Sequence, residues 1–195
     1  MTFGAAFDCS LLIADRLLAR PLCYLLGEMT VEPRTLTIRQ LERGDLPLLA
    51  AEVGLGRDHI EGRWSEREQG LRTMFVAETD GRFAGGVSFD VRPDFPGLLH
   101  LYALAVAPPL QRGGVGTALI RAVEDESRRR GLEGVYLGVA EDNPDARRLY
   151  ESLGYHGEGE PFVSRWTWRG DNGEERQVEE SVYRLFKRFA ARGRA

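Results

Sequence analysis

Residues 98–117, LLHLYALAVAPPLQRGGVGT, constrain the fold more than any other stretch of the chain. They begin as a continuous apolar run that reads as a strand over 98–107, with His100, Tyr102, Leu104 and Val106 on one face. Leu99, Leu101, Ala103 and Ala105 fall on the other, so both faces need cover. Pro108 and Pro109 stop the run. Gln111-Arg112-Gly113-Gly114-Val115-Gly116-Thr117 then forms a glycine-rich turn into a helix over 114–130. That helix carries Val115, Ala118, Leu119, Ala122 and Val123 at i, i+3, i+4 spacing. A strand that feeds a glycine turn at a helix N-terminus suits a phosphate. Backbone N–H groups without an intrahelical partner converge there, the helix dipole adds positive potential, and glycine lets an anion approach the backbone.

The rest of the chain reads around this unit. Alternating Leu36 and Ile38 predict a first strand over 35–40. Gly44-Asp45 caps a helix over 46–53, and a polar helix with Ile60, Trp64 and Leu71 as its apolar points follows over 57–71. Strands over 73–78 and 83–91 flank an Asp80-Gly81 hairpin turn. After the 114–130 helix, which Gly131 ends, a strand over 135–139 is expected parallel to the central one. Asn143-Pro144 starts a helix that Gly154 closes, with Ala146, Leu149, Tyr150 and Leu153 inward. Two strands over 162–168 and 180–189 end the domain. The fold class is α/β, a mixed central sheet of about seven strands flanked by about four helices. Residues 1–33 are either a helical extension, broken at Pro21, or lie upstream of a start at Met29; the domain proper is 34–190.

Composition narrows the function classes. Hydrophobic and charged fractions of 43% and 29% are those of a soluble globular protein, and a net charge of −4 argues against a nucleic-acid partner. It leans weakly toward a cationic one. The two cysteines, Cys9 and Cys23, make no disulfide framework, which points to a reducing cytoplasm. The three histidines, His59, His100 and His156, have no metal-binding spacing, so no metal is expected. No apolar run approaches the roughly 18 residues of a membrane span.

Alone, the glycine turn is not diagnostic, because a chain with 23 glycines offers such matches by chance. It is not a P-loop, since no Gly-Lys-Ser/Thr follows, and Leu119 stands where a dinucleotide fingerprint needs its third glycine. Three features in order are more specific. These are the strand end Leu104-Ala105-Val106-Ala107-Pro108, the turn 111–116, and Asn143-Pro144-Asp145-Ala146-Arg147-Arg148-Leu149-Tyr150-Glu151-Ser152-Leu153-Gly154-Tyr155. Together they resemble the GNAT superfamily of acyl-CoA-dependent N-acyltransferases over residues 35–187.

The resemblance implies a cofactor and residue roles. The backbone of Arg112, Gly113, Gly114, Val115, Gly116 and Thr117, in the turn opened by Gln111, would hold the pyrophosphate of acetyl-CoA. Leu104 and Val106 would line its pantetheine arm, with the Val106 N–H near the thioester carbonyl. Asn143, which is also a plain N-cap, matches a residue on the cofactor arm, and Tyr150, otherwise a core tyrosine, the tyrosine near the sulfur. A phenol suits proton donation to a leaving thiolate, and a backbone N–H suits a developing oxyanion. His100 stands where some members carry a glutamate base; a hydrogen-bonded histidine in the sheet is the alternative, and Glu158, Glu160 or a water chain are other bases. Trp64, Trp166 and Trp168 could wall the acceptor site or be core or surface-pairing residues, and Glu174, Glu175, Glu179 and Glu180 could favour a cationic amine or be solvated charge. The expectation is an acetyl-CoA-dependent N-acetyltransferase acting by direct attack in a ternary complex. Its acceptor would be a small-molecule amine or a protein N-terminus, with a homodimer left open. A non-catalytic acyl-CoA-binding or regulatory module with the same fold is one other reading, and another nucleotide-binding α/β protein is the second.

Overall fold

A computed structural model describes residues 35–47, 57–169 and 174–190. The 1–33 segment, most of the helix expected over 46–53 and the 170–173 turn lie outside the described residues. Strand β1 (Leu36–Gln40) leads through a short 3-10 turn (Arg43–Asp45) toward helix α1 (Arg57–Glu68). Strands β2 (Thr73–Thr79), β3 (Arg82–Val91) and β4 (Leu98–Val106) follow as an antiparallel meander with β1. The β2–β3 turn has positive φ at both Asp80 (52°) and Gly81 (70°), the type I′ geometry that the Asp-Gly step favours. Helix α2 (Val115–Arg129) crosses to β5 (Gly134–Ala140), which pairs parallel with β4 as expected. Helix α3 (Pro144–Ser152) and strands β6 (His156–Gly157), β7 (Phe162–Arg169) and β8 (Glu175–Arg188) complete the chain. The sheet order is β1-β2-β3-β4-β5-β8-β6, with β7 on β8.

Period-2 alternation gives the sheet two different faces. On one, Leu119, Ile120 and Val123 of α2 pack on Leu99 and Leu101 of β4 and on Val135 and Leu137 of β5, with Tyr150 and Tyr155. Each such buried aliphatic side chain contributes roughly 1.5–3 kcal/mol. On the other, Leu98, Tyr136 and Phe186 cluster with Phe95, and Trp64 of α1 joins Leu41, Leu46, Met74, Val76 and Phe83. The single lysine ties the layers together: Lys187 Nζ lies 2.8 Å from both carboxylate oxygens of buried Glu124, linking β8 to α2.

The central strand departs from simple alternation. Gly86 faces Ala105 but Ser88 faces Tyr102, so Ala103 and Leu104 oppose the single residue Val87. Ala103 takes φ 50°, and the result is a β-bulge. Beyond it the side-chain phase shifts by one. Leu104 and Val106 therefore pack with the α2-side core, not on the His100 face as the alternation predicts. Strand β8 is also longer than expected, starting at Glu175. Its charged first half pairs with β7, where Arg165 meets Glu179 at 2.8 Å. Among the described residues no helix is long and apolar enough to cross a membrane.

Candidate functional site

The glycine turn is built by steric necessity. Gly114 is the N-cap of α2 at φ 86°, a conformation a side chain resists, and Arg112 also sits at positive φ (62°). A Cβ on Gly113 would lie 3.1 Å from the Leu110 carbonyl oxygen. The first bond of the helix runs from Ala118 N–H to Gly114 C=O at 2.9 Å. The N–H groups of Gly114, Val115, Gly116 and Thr117 precede it, and no side chain caps them. Residues 111–114 are exposed while Val115 is buried, so the turn stands at the surface on an anchored helix.

Beside the turn the sheet opens. Strand β4 pairs with β5 only from Leu98↔Gly134 to Leu101↔Leu137; β5 then continues along β8, while β4 continues along β3 alone. The bulge at Ala103 lies where the two parallel strands part. Ala107 N–H donates to Ala84 C=O on β3 (2.9 Å), so by alternation the backbone of Val106 points to the opened side. Its carbonyl accepts from Gln111 Nε2 at 3.2 Å, which ties the turn to the strand end. A Cβ on Gly116 would meet Val106 Cγ2 at 3.6 Å and Leu149 Cδ2 at 3.9 Å, so β4, the turn and α3 converge there.

Helix α3 supplies the far wall. Asn143 is its N-cap, with Oδ1 accepting from Ala146 N–H at 3.0 Å; the Nδ2 donors take no part in the cap. Arg112 reaches Asp145 in the first turn of α3 at 3.6 Å, and both are exposed. Tyr150 is buried in the α2-side core, edge-on to Tyr155 with ring centroids 5.9 Å apart.

His100 lies on the opposite face of the sheet from Tyr150, one residue before β4 leaves β5. It is stacked between Tyr102 (4.8 Å, 20°) and Tyr136 (4.7 Å, 19°), and its Nδ1 lies 3.6 Å from Asp90 Oδ1. Asp90 also accepts from Tyr102 Oη (3.1 Å) and Arg92 Nε (2.9 Å). Burial pushes the imidazole below its ordinary value, and Asp90 only partly opposes this. Burial pushes the Asp90 carboxyl up, but His100 and Arg92 more than offset it and hold the group below the usual carboxylate range. Burial likewise raises the hydroxyls of Tyr102 and Tyr136.

Of the residues expected around an acceptor, Trp64 is buried in the core cluster under α1, with the Arg67 guanidinium 4.6 Å from its ring centre. It is a packing residue and not part of a wall. The side chains of Trp166 and Trp168 lie outside the described residues. Glu158 faces Arg188 at 3.6 Å, and His156 is exposed. Among the described residues no group of three metal-ligating side chains occurs.

A mixed sheet whose parallel pair opens beside a glycine turn at a helix N-terminus defines the class as an α/β fold. The particular class follows from comparison: the chain belongs to the acetyltransferase (GNAT) family, whose model matches residues 37–155. It is 37% identical over 142 residues to a mycothiol acetyltransferase of Thermomonospora curvata, covering 67% of this chain and 47% of that protein. The chain thus spans about half the length of that relative. It is 35% identical over 130 residues to the [ribosomal protein bS18]-alanine N-acetyltransferase of Escherichia coli, covering 62% of this chain and 80% of that one. Among solved structures, spermidine N-acetyltransferase from Vibrio cholerae in complex with CoA and spermine superposes with TM-score 0.62 at 25% identity, covering 78% of this chain and 95% of that one.

Proposed function

We propose that this protein is an acetyl-CoA-dependent N-acetyltransferase that transfers the acetyl group directly to a primary amine. One observation carries the reading: the parting of β4 from β5 leads straight to the turn whose Gly114–Thr117 N–H groups precede the first helical bond. The donors suit a pyrophosphate, because they converge at the positive end of α2 on a surface that glycine leaves uncovered. Thr117 adds a hydroxyl. The open edge of β4 suits an extended pantetheine arm laid along it, with Leu104 and Val106 beneath and the Nδ2 donors of Asn143 on the other side. Acetyl-CoA supplies the thioester. The amine nitrogen bonds to the acyl carbon, the C–S bond breaks, and the amine loses a proton while the thiolate gains one.

The chain's own groups fit these tasks. The Val106 N–H, on the opened side of β4, is the donor for the developing oxyanion. Tyr150 is the proton donor to the thiolate. His100 takes the proton of the amine, directly or through water. Its lowered basicity keeps it unprotonated at neutral pH, as a base requires. Acid and base would then approach the thioester from the two sides of the sheet.

The test is release of free thiol from acetyl-CoA with a panel of amines, run beside calorimetric titration of acetyl-CoA. Amine-dependent thiol release is expected. Tight acetyl-CoA binding with no release across the panel would leave a binding module and sink the transferase.

A further inference from the structure

The face that holds His100 also holds an arginine that the mechanism does not use. Arg184 pairs across the strands with Gly138 of β5, one step beyond Leu137, the last β5 residue paired with β4. Alternation along β8 puts it on the side of Phe186, the face of Tyr136 and His100. Its guanidinium lies 4.0 Å from the ring centre of Phe162 and 5.6 Å from that of Phe95. Two aromatic rings therefore bound the cation from different strands and loops.

Among the described residues its neighbours have carboxylate partners and Arg184 does not. Arg72 meets Glu66 at 2.8 Å and Arg92 meets Asp90 at 2.9 Å. Glu158, whose N–H donates to the Arg184 carbonyl at 3.4 Å, directs its carboxylate to Arg188. Among the described residues no carboxylate comes within 4.0 Å of Arg184. Gly138 brings no side chain to this row, and Val182 closes over it: a Cβ there would lie 2.9 Å from Val182 Cγ1. A second group lacks a partner nearby. The Tyr136 hydroxyl is buried and makes no hydrogen bond among the described residues, and the charge of Arg184 acts on it. A buried donor left unmade costs about 1–3 kcal/mol, so something is expected to accept from it.

We propose that Arg184 receives a carboxylate of the acceptor, so that the substrates of this enzyme are amines that also carry a carboxylate. A planar guanidinium matches a carboxylate in two parallel bonds. The site lies at the mouth of the β4–β5 opening, on the side from which His100 faces the acceptor. This inference rests on the transferase reading and deepens it. It also reverses the weak lean toward a cationic acceptor: among the described residues, Arg184 stands on the sheet face beside the opening with no carboxylate within 4.0 Å, whatever the sign of the whole chain.

The experiment compares matched acceptors with acetyl-CoA: free amino acids, their carboxamides and the corresponding decarboxylated amines. The expected result is a kcat/KM at least about tenfold higher for the carboxylate member, the size of a charge-assisted pair. Arg184→Gln should bring that ratio close to one by raising KM for the carboxylate, with acetyl-CoA affinity unchanged. Arg184→Lys should keep part of the preference. A ratio near or below one in the native enzyme overturns the inference and leaves the transferase standing, as does a ratio that survives in a folded Arg184→Gln. No acetylation of any amine overturns both. The unchanged acetyl-CoA titration separates loss of the carboxylate contact from loss of the fold.

Discussion

The two halves of β4 have different neighbours. Residues 99–101 are paired on both edges, with β3 and β5, and are buried; beyond them, up to Val106, the strand is paired with β3 alone. One strand thus belongs to a closed core at one end and to an open edge at the other, and the bulge at Ala103 is the joint. The difference teaches where the fold can absorb change. In the closed half every atom is boxed in, whereas the open half leaves backbone groups and space that a bound molecule would use.

The strongest way to break the comparison is at its glycines. Gly134 sits in the closed half, opposite Leu98, where an added Cβ would lie 2.2 Å from the Lys187 carbonyl oxygen and 3.0 Å from Arg188 Cα. Backbone cannot yield there as a flexible side chain would. Gly134→Ala should cost more than about 3 kcal/mol in urea unfolding or prevent folding outright. Gly116→Ala beside the open half meets only ordinary contacts at 3.6 and 3.9 Å. Its stability should stay within about 1 kcal/mol of the native protein. Equal losses at both positions would show that the two halves are packed alike.

Next in size is the proposed acid. Tyr150→Phe keeps the ring against Tyr155 and removes only the hydroxyl, so the fold and acetyl-CoA affinity should hold while kcat falls about a hundredfold. A native kcat would take Tyr150 out of the mechanism. Smaller still is the turn: Gly114→Ala forces a side chain into φ 86° at a cost of roughly 1–2 kcal/mol. Acetyl-CoA affinity, read by calorimetry, should drop about tenfold as the N–H groups rotate away. Undiminished affinity would put the phosphate site elsewhere.

How much of this was legible in the sequence follows the same division. The closed half, α2 and the Asp80-Gly81 turn announce themselves, because burial imposes periodicity and turns demand particular residues. The 98–117 motif with Asn143–Tyr155 led to the family. The bulge left no mark, since nothing in Leu98–Val106 singles out Ala103 for a positive φ, so Leu104 and Val106 were placed on the wrong face. Glu175–Glu180 do not read as a strand because both faces of an outlying hairpin are wet. Only the partner strand shows it, although Arg165 and Glu179 held a cross-strand charge pair as a clue. Trp64 looked like a site residue because tryptophan suits both pockets and cores, and its burial decides. Arg184 was invisible as one of 26 basic residues; its setting depends on the rings of Phe95 and Phe162, distant in sequence.

The smallest effect probes the joint itself, through the pH dependence of stability. Burial holds the His100 imidazole below its ordinary value of 6.5, so folding favours the neutral form. Above that pH both states are neutral and the group contributes nothing. As pH falls below it, the unfolded chain takes up a proton that the folded one still refuses, and stability is lost until the folded value is reached, with a slope of up to about 1.4 kcal/mol per pH unit. Asp90 works in a lower window: its carboxyl is held below the usual range, so its contribution is present above about 3.8 and lost only beneath that. Between pH 7.5 and 5 the two are separable. Urea midpoints of the native protein should fall across that interval, while those of His100→Gln should fall less. Parallel curves would mean that His100 is not held neutral, and would remove the physical ground for a base that stays unprotonated where β4 opens.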